Sequence, residues 1–136
     1  MEERSDALRG PDQAAAPVIA ITGATGGIGG RVARRLADAD VDQRLVVRDP
    51  SRAPDLETSA AVEVAVAAYD DPAALEAAFD GCDGVLFVSA AEDADRVGLH
   101  RNVVQAAAKA GVGHIVYTSF QGAAADCTFT LGRHHF

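Results

Sequence analysis

From Val18 onward the chain alternates between short apolar runs and longer segments in which apolar residues recur every three or four positions. The short runs are VIAIT, RLVV, VEVAV, GVLFVSA and HIVYTS. Continuous apolar runs of this length are typical of strands buried on both faces, and the longer segments have the period of amphipathic helices. Strands and helices that alternate at this spacing predict an α/β fold with a parallel sheet and right-handed crossovers.

Three helices are predicted between these strands. The first is indicated by the four-residue spacing of Ile28, Val32 and Leu36. The second has Pro72 in its first turn, and the third covers DADRVGLHRNVVQAAAKAG and ends at Gly111. The third helix places four residues on one stripe: Val97, Arg101, Val104 and Ala108.

Five strands in this arrangement predict a Rossmann-type doubly wound sheet of order 3-2-1-4-5, truncated after strand five. Residues 1–17 mix charges with Gly, Pro and small residues and are predicted to be a disordered tail, which leaves 18–136 as one incomplete domain. The last predicted strand has no successor, so its apolar edge is expected to be exposed. A truncated product, a sheet completed by homodimerisation and poor stability are the three alternatives.

The stretch ITGATGGIGG contains five glycines directly after the first predicted strand. Gly23, Gly26 and Gly29 form G-x-x-G-x-x-G at a strand-to-helix turn, where glycine permits positive φ and close approach of a pyrophosphate. Free N–H groups and the helix dipole then make an anion site without basic side chains. The alternative is a glycine-rich turn that serves tight packing alone. The motif in this context predicts that 18–136 is an NAD(P)-binding domain. The residues predicted to bind the cofactor here are Gly23, Thr25, Gly26, Gly27, Ile28 and Gly29.

Charge and composition exclude several functions. The formal net charge is -8 and the arginines are scattered, which argues against nucleic acid and against an anionic membrane surface as partners. No apolar run approaches the roughly 18 residues of a membrane span. The two cysteines are far apart, as expected of reduced thiols in a cytoplasmic protein. His100 and His114 have no partners at metal spacing, so no metal site is predicted.

The wording TGATGGIG resembles that of the atypical short-chain dehydrogenase/reductases, in particular NmrA-like proteins and the bacterial NAD(P)H-dependent quinone oxidoreductases that use neither flavin nor zinc. VVRDPSRA, AYDDPAALEAAFDGCDGVLFVS, HRNVVQAAAKAGVGHIVYTSF and GAAADCTFTLGRHHF extend the resemblance to the end of the chain. It implies hydride transfer from NADPH to a quinone or a small carbonyl acceptor. Family members continue for about as many residues again, and that part forms most of the substrate pocket.

Cofactor preference depends on the end of the second strand. Arg48 stands where an acid would bind the ribose 2′-hydroxyl of NADH, and an arginine there pairs with the 2′-phosphate of NADPH, with Arg52 as a second candidate. The alternatives are that Arg48 is only solvated and that Asp49 caps a short helix beginning at Pro50. If Asp49 instead reaches a ribose hydroxyl, NADH is accepted as well.

Further cofactor contacts are expected after the third and fourth strands. The family usually has an acid before its Tyr-Asp pair to meet the adenine amino group, whereas this chain has Ala68 followed by Tyr69 and Asp70. The resemblance therefore leaves the adenine to the backbone and to Asp70, unless Asp70 and Asp71 only cap the next helix. The small residues Ser89 and Ala90 are expected to lie against the nicotinamide ribose.

The residues for catalysis are less clear from the sequence. The chain has no Y-x-x-x-K. Thr118 and Ser119 end the fifth strand, where a hydroxyl would touch a substrate carbonyl or the nicotinamide amide. His135 aligns with the histidine of a family motif that reads roughly A-R-D-H, and an imidazole there would protonate a reduced quinone oxygen unless it is simply solvated. Other interpretations are a non-catalytic NAD(P) redox sensor and an inactive fragment.

Overall fold

The computed structural model describes residues 15–91, 93–119, 121–126 and 128. Its strands are β1 (Ile19–Thr22), β2 (Gln43–Val47), β3 (Val62–Val66), β4 (Gly84–Phe87) and β5 (His114–Tyr117). Its α-helices are α1 (Gly27–Asp38), α2 (Pro72–Phe79) and α3 (Arg96–Lys109), and a 3₁₀ turn spans Pro50–Arg52.

The five strands form one parallel sheet in the order β3-β2-β1-β4-β5, which confirms the predicted topology. Central strand β1 pairs with both β2 and β4, so that Ile21 lies between Leu45 and Leu86. Because all the strands are parallel, their carboxyl ends meet at one edge of the sheet. The strand order reverses between β1 and β4, and this switch point is where ligands bind in doubly wound sheets.

Each face of the sheet has its own hydrophobic layer. On one face, α2 and α3 cover a cluster that includes Leu75, Phe79 and Phe87, and all three side chains are fully buried. On the other face, α1 covers Ile21 and Leu45. Burial of such a side chain contributes about 1.5–3 kcal/mol, so the two layers hold the strand ends in fixed positions.

Helix α3 buries a different face from the one that aliphatic spacing indicates, and α1 follows its predicted stripe only in part. In α3, Val97 is 54% exposed and Val104 is 47% exposed, so the predicted stripe faces solvent. In α1, Ile28 is 55% exposed, whereas Val32 and Leu36 of the same predicted stripe are partly buried against the core. The buried positions of the two helices are mainly small: Gly29, Gly30, Ala33 and Ala37 in α1, and Arg96, His100, Val103, Ala106 and Ala107 in α3. Small residues allow the helix backbone to approach the sheet closely, and their weak hydrophobicity hides this face from a periodicity analysis.

The boundaries of the domain remain predictions. The tail predicted for 1–17 lies mostly outside the described residues, and nothing in the fold tests dimerisation through β5. Val116 of β5 is exposed, and it lies on the same face of the sheet as Ile21, which α1 covers. None of the helices in the described part of the chain is long and apolar enough to cross a lipid bilayer.

Candidate functional site

A cleft of about 450 Å³ lies at the carboxyl edge of the sheet, on the switch point between β1 and β4. Seven of the residues predicted to bind a cofactor line it: Gly23, Thr25, Arg48, Tyr69, Asp70, Ser89 and Ala90. The rest of the lining is mostly small or apolar: Val46, Val47, Ala67, Ala68, Val88, Ala91, Asp93 and Leu99. The fold thus brings into one cleft residues as far apart in sequence as Gly23 and Leu99.

The turn between β1 and α1 forms the floor of the cleft, and its glycines are required by its geometry. Gly23 has a φ of +62°, and the N–H of Gly26 donates to its carbonyl oxygen over 2.9 Å. A Cβ on Gly29 would lie 2.2 Å from that same oxygen, closer than any real side chain can come. Gly29 therefore allows α1 to start directly against the turn.

The first turn of α1 has the free N–H groups that a predicted anion site requires. Gly26 is the N-cap and supplies no side-chain hydrogen bond, and the first turn contains no acidic residue. Its N–H groups are therefore left without a side-chain cap, and the positive end of the helix dipole faces the same way. Gly27 and Ile28 are exposed at this helix end. The donors and the open backbone fit a pyrophosphate group.

At the end of β2, Arg48 lines the cleft and Asp49 does not. Asp49 caps the 3₁₀ turn: its Oδ1 accepts hydrogen bonds from the Ser51 N–H at 3.0 Å and from the Ser51 hydroxyl at 2.7 Å. These bonds lower the pKa of Asp49 below its usual value. Of the two interpretations of Asp49, capping is the one that the structure shows, while Arg48 is exposed on the cleft wall.

The two aspartates after β3 have separate roles. The Oδ1 of Asp71 accepts the N–H of Ala74 at 3.1 Å and so caps α2, whereas Asp70 lines the cleft. The sequence assigned the adenine contact to Asp70 but left open that both aspartates cap the helix, because adjacent carboxylates before a helix both fit a cap. Only the backbone direction at the end of β3 distinguishes them.

The Tyr69 hydroxyl is held behind the cleft wall. It donates to the carbonyl oxygen of Val88 and lies 2.6 Å from Oγ1 of Thr22. Burial raises the pKa of Tyr69 above its usual value. The tyrosine ring therefore lines the cleft, while its hydroxyl connects the ends of β1 and β4 and stays protonated.

The loop after β4 is fixed by side chains from three other elements. The Val88 N–H donates to Thr22 Oγ1 of β1 at 2.9 Å. The Ser89 N–H donates to Thr118 Oγ1 after β5 at 2.8 Å. The Ala90 N–H donates to Nε2 of His100 on α3 at 2.9 Å. Three successive amides are thus satisfied within the protein, and the small residues of this loop form a firm wall.

The residues expected to perform catalysis are not gathered by the described structure. Ser119 is exposed and does not line the cleft, and Thr118 uses its hydroxyl to hold the Ser89 amide. His135 lies outside the described residues, as do the neighbouring Gly132 to His134. Their proposed roles therefore remain predictions.

Sequence reasoning missed Thr22, Asp93, Leu99 and His100 at the site. Asp93 was assigned to the start of the third helix, whereas α3 begins at Arg96 and Asp93 lines the cleft, its Oδ1 accepting the Asp95 N–H at 2.8 Å. The several acidic residues before α3 were the sequence signal that could have shown that Asp93 lies outside the helix. Thr22 and His100 gave none, because a hydroxyl at a strand end and a lone histidine in a helix are common.

Comparison with known proteins supports the interpretation of the cleft. A family model described as NAD(P)H-binding matches residues 23–135. Quinone oxidoreductase 2 from Escherichia coli is 41% identical over 104 residues, which is 75% of this chain and 36% of that protein. NAD(P)H azoreductase from Xenophilus azovorans is 35% identical over 116 residues, which is 85% of this chain and 40% of that protein.

Two solved structures of reductases resemble the fold of this chain. Triphenylmethane reductase from Citrobacter superposes with a TM-score of 0.75 at 34% identity, over 87% of this chain and 42% of that one. The NADPH-dependent quinone oxidoreductase from Escherichia coli in complex with NADPH superposes with a TM-score of 0.73 at 35% identity, over 86% and 41%. The chain therefore spans well under half the length of the relatives it matches.

Proposed function

This chain belongs to the family of NAD(P)H-binding proteins, and on that premise we propose that it is the cofactor-binding part of an oxidoreductase that passes hydride from NADPH to a quinone or another small carbonyl acceptor. The observation that carries the proposal is that the uncapped start of α1 directly follows Gly23 and Thr25, which line the same cleft as Arg48. The start of α1 fits a pyrophosphate and Arg48 fits a 2′-phosphate.

The cleft divides into two sides along the strand order. Arg48 and Asp70 follow β2 and β3, which belong to the half that takes the adenosine in this fold. Ser89 and Ala90 follow β4 and take the nicotinamide side. Gly23, Gly26 and Gly29 with Thr25, Gly27 and Ile28 lie between the two sides, where the pyrophosphate binds.

Arg48 favours NADPH over NADH for an electrostatic reason. A guanidinium binds a phosphate with two parallel charge-assisted hydrogen bonds. The neighbouring carboxylate of Asp49, which would repel a 2′-phosphate, is engaged by Ser51 at the 3₁₀ turn. NADPH supplies the hydride when it is bound, and the protein orients it and holds the acceptor.

A second function, a non-catalytic NAD(P) sensor, is favoured by the hydrogen bonds that already engage the tyrosine hydroxyls. The chain has two tyrosines, and both hydroxyls have partners: Tyr69 at Val88, and Tyr117 3.3 Å from Nδ1 of His100. The single lysine, Lys109, ends α3 at the opposite edge of the sheet from the cleft. A tyrosine–lysine proton donor is therefore missing from the cleft.

One experiment separates the two functions. NADPH and NADH are titrated into the purified protein while the fluorescence of the reduced nicotinamide is followed. A benzoquinone is then added, and the absorbance of the reduced nicotinamide is recorded. We expect saturable binding that is tighter for NADPH, followed by quinone-dependent loss of absorbance. Tight binding without oxidation would select the sensor, and failure to bind either nucleotide would overturn both functions.

A further inference from the structure

His100 connects α3 to the wall of the cleft. It lies in the second turn of α3 and is only 9% exposed. Its Nε2 accepts the N–H of Ala90 at 2.9 Å, and Ala90 lines the cleft. Because an acceptor nitrogen carries no proton, a neutral ring bonded in this way has its proton on Nδ1.

The other ring nitrogen is held by β5. Nδ1 of His100 lies 3.3 Å from the hydroxyl oxygen of Tyr117, so that in this tautomer Nδ1–H donates to Tyr117. One imidazole thus joins the loop after β4 to the end of β5. The hydrogen bond at Nδ1 determines which tautomer is present, and the tautomer determines whether Nε2 can accept the Ala90 N–H.

Packing fixes the direction of the ring. The imidazole meets Phe87 edge-to-face, with ring centroids 5.0 Å apart and planes at 88°, and meets Tyr117 at 5.6 Å and 74°. Phe87 is itself buried in the core. Contacts on these two sides restrict rotation of the imidazole away from Ala90, so the acceptor is preorganised.

We propose that His100, kept in its Nδ1–H tautomer by Tyr117, is a positioning residue that fixes the nicotinamide side of the cleft through the Ala90 amide. Thr22 and Thr118 hold the two preceding amides, and their hydroxyls can rotate. Of the three acceptors that bind the amides of this loop, His100 is the one whose ability to accept depends on its tautomer. The inference rests on the proposed binding of NADPH.

The test compares two nucleotides across matched variants of the full chain. NADPH spans the whole cleft, whereas adenosine 2′,5′-bisphosphate has no nicotinamide. We expect His100→Leu to weaken NADPH binding about tenfold, since it leaves the half-buried Ala90 N–H without its acceptor, and to leave the bisphosphate unchanged. His100→Gln, which returns an acceptor near the position of Nε2, restores most of the affinity for NADPH.

A spectroscopic measurement tests the tautomer without any nucleotide. In the ¹⁵N-labelled wild-type protein, His100 is assigned by comparison with His100→Gln, and we expect Nδ1 to be protonated and Nε2 unprotonated. Tyr117→Phe should increase the population of the other tautomer. A proton on Nε2 in the wild type, or equal weakening of both nucleotides in His100→Leu, would overturn the inference. Absence of NADPH binding to the wild type would instead overturn the proposed function.

Discussion

The carbonyl oxygen of Gly23 occupies the space that a side chain on Gly29 would need, since a Cβ on Gly29 would fall 2.2 Å from it. Gly26 makes the intervening turn by donating its N–H to the same oxygen at 2.9 Å. The glycines of the motif are thus required by the protein's own backbone, before any ligand is considered. Both readings of the glycine stretch, tight packing and a phosphate site, describe the same turn.

The first prediction concerns Gly29→Ala. The added methyl group must displace the turn or the start of α1, so we expect the free energy of unfolding to fall by about 1–3 kcal/mol and NADPH binding to be lost. Denaturant unfolding and nucleotide titration measure the two effects. Gly27→Ala is the matched control, because nothing lies within 4 Å of its Cβ, and its stability should be unchanged or slightly higher. Equal destabilisation by both variants would contradict the steric argument.

The second prediction concerns Arg48→Ala. Loss of a guanidinium that binds the 2′-phosphate should weaken NADPH by about 1.5–3 kcal/mol and leave NADH nearly unchanged. Arg35→Ala is the control, since Arg35 lies in the last turn of α1 and does not line the cleft. The dissociation constants of both nucleotides are measured for each variant. If NADPH and NADH weaken by the same factor in Arg48→Ala, the 2′-phosphate role is wrong.

The third prediction separates the neighbouring aspartates. Asp71→Ala removes the cap of α2 and should lower the free energy of unfolding by about 1 kcal/mol without changing nucleotide affinity. Asp70→Ala should do the reverse, because Asp70 lines the cleft and is proposed to meet the adenine. Thermal or denaturant unfolding is measured beside NADPH titration. If Asp70→Ala lowers the free energy of unfolding and Asp71→Ala leaves it unchanged, the two roles are exchanged.

The fourth prediction concerns alkaline pH. Burial raises the pKa of both Tyr69 and Tyr117 in the folded protein. A phenol with a raised folded pKa binds its proton more tightly when folded, so its stabilising effect is complete below the unfolded value of about 10 and is lost as the pH rises through the folded pKa. We therefore expect stability to decrease above about pH 10, less steeply in Tyr69→Phe. Ionisation of either tyrosine below pH 10 in the native protein, followed by ultraviolet absorbance, would refute this.

Much of the architecture is predictable from the sequence because it is local. The apolar runs place five strands, and β3 covers the predicted VEVAV run from end to end. The alternation of strands and helices, assigned to a Rossmann-type sheet, predicts the observed order 3-2-1-4-5, and the glycine spacing predicts the turn after β1. The resemblance to NmrA-like proteins and NAD(P)H-dependent quinone oxidoreductases is confirmed by the family match and by the relatives.

The buried face of α3 was the main error. Val97 and Val104 form the apparent aliphatic stripe of α3, yet they face solvent, and Val103 with two alanines faces the sheet. Periodicity weights a residue by its hydrophobicity, whereas helix-to-sheet packing selects by volume as well, because the helix must approach closely. Small residues therefore define the contact face while large ones define the apparent stripe.

What the sequence determined by itself is the set of segments, their order and the position of the glycine turn, since these depend on hydrophobic period and on allowed φ. What only the tertiary structure decided is which of two similar neighbours performs which task. Asp49 and Asp71 cap while Arg48 and Asp70 line the cleft, and His100, far away in sequence, supports the wall at Ala90. These assignments depend on where packing directs each side chain at the end of its strand or on its helix, and that direction is not encoded in the spacing of residues along the chain.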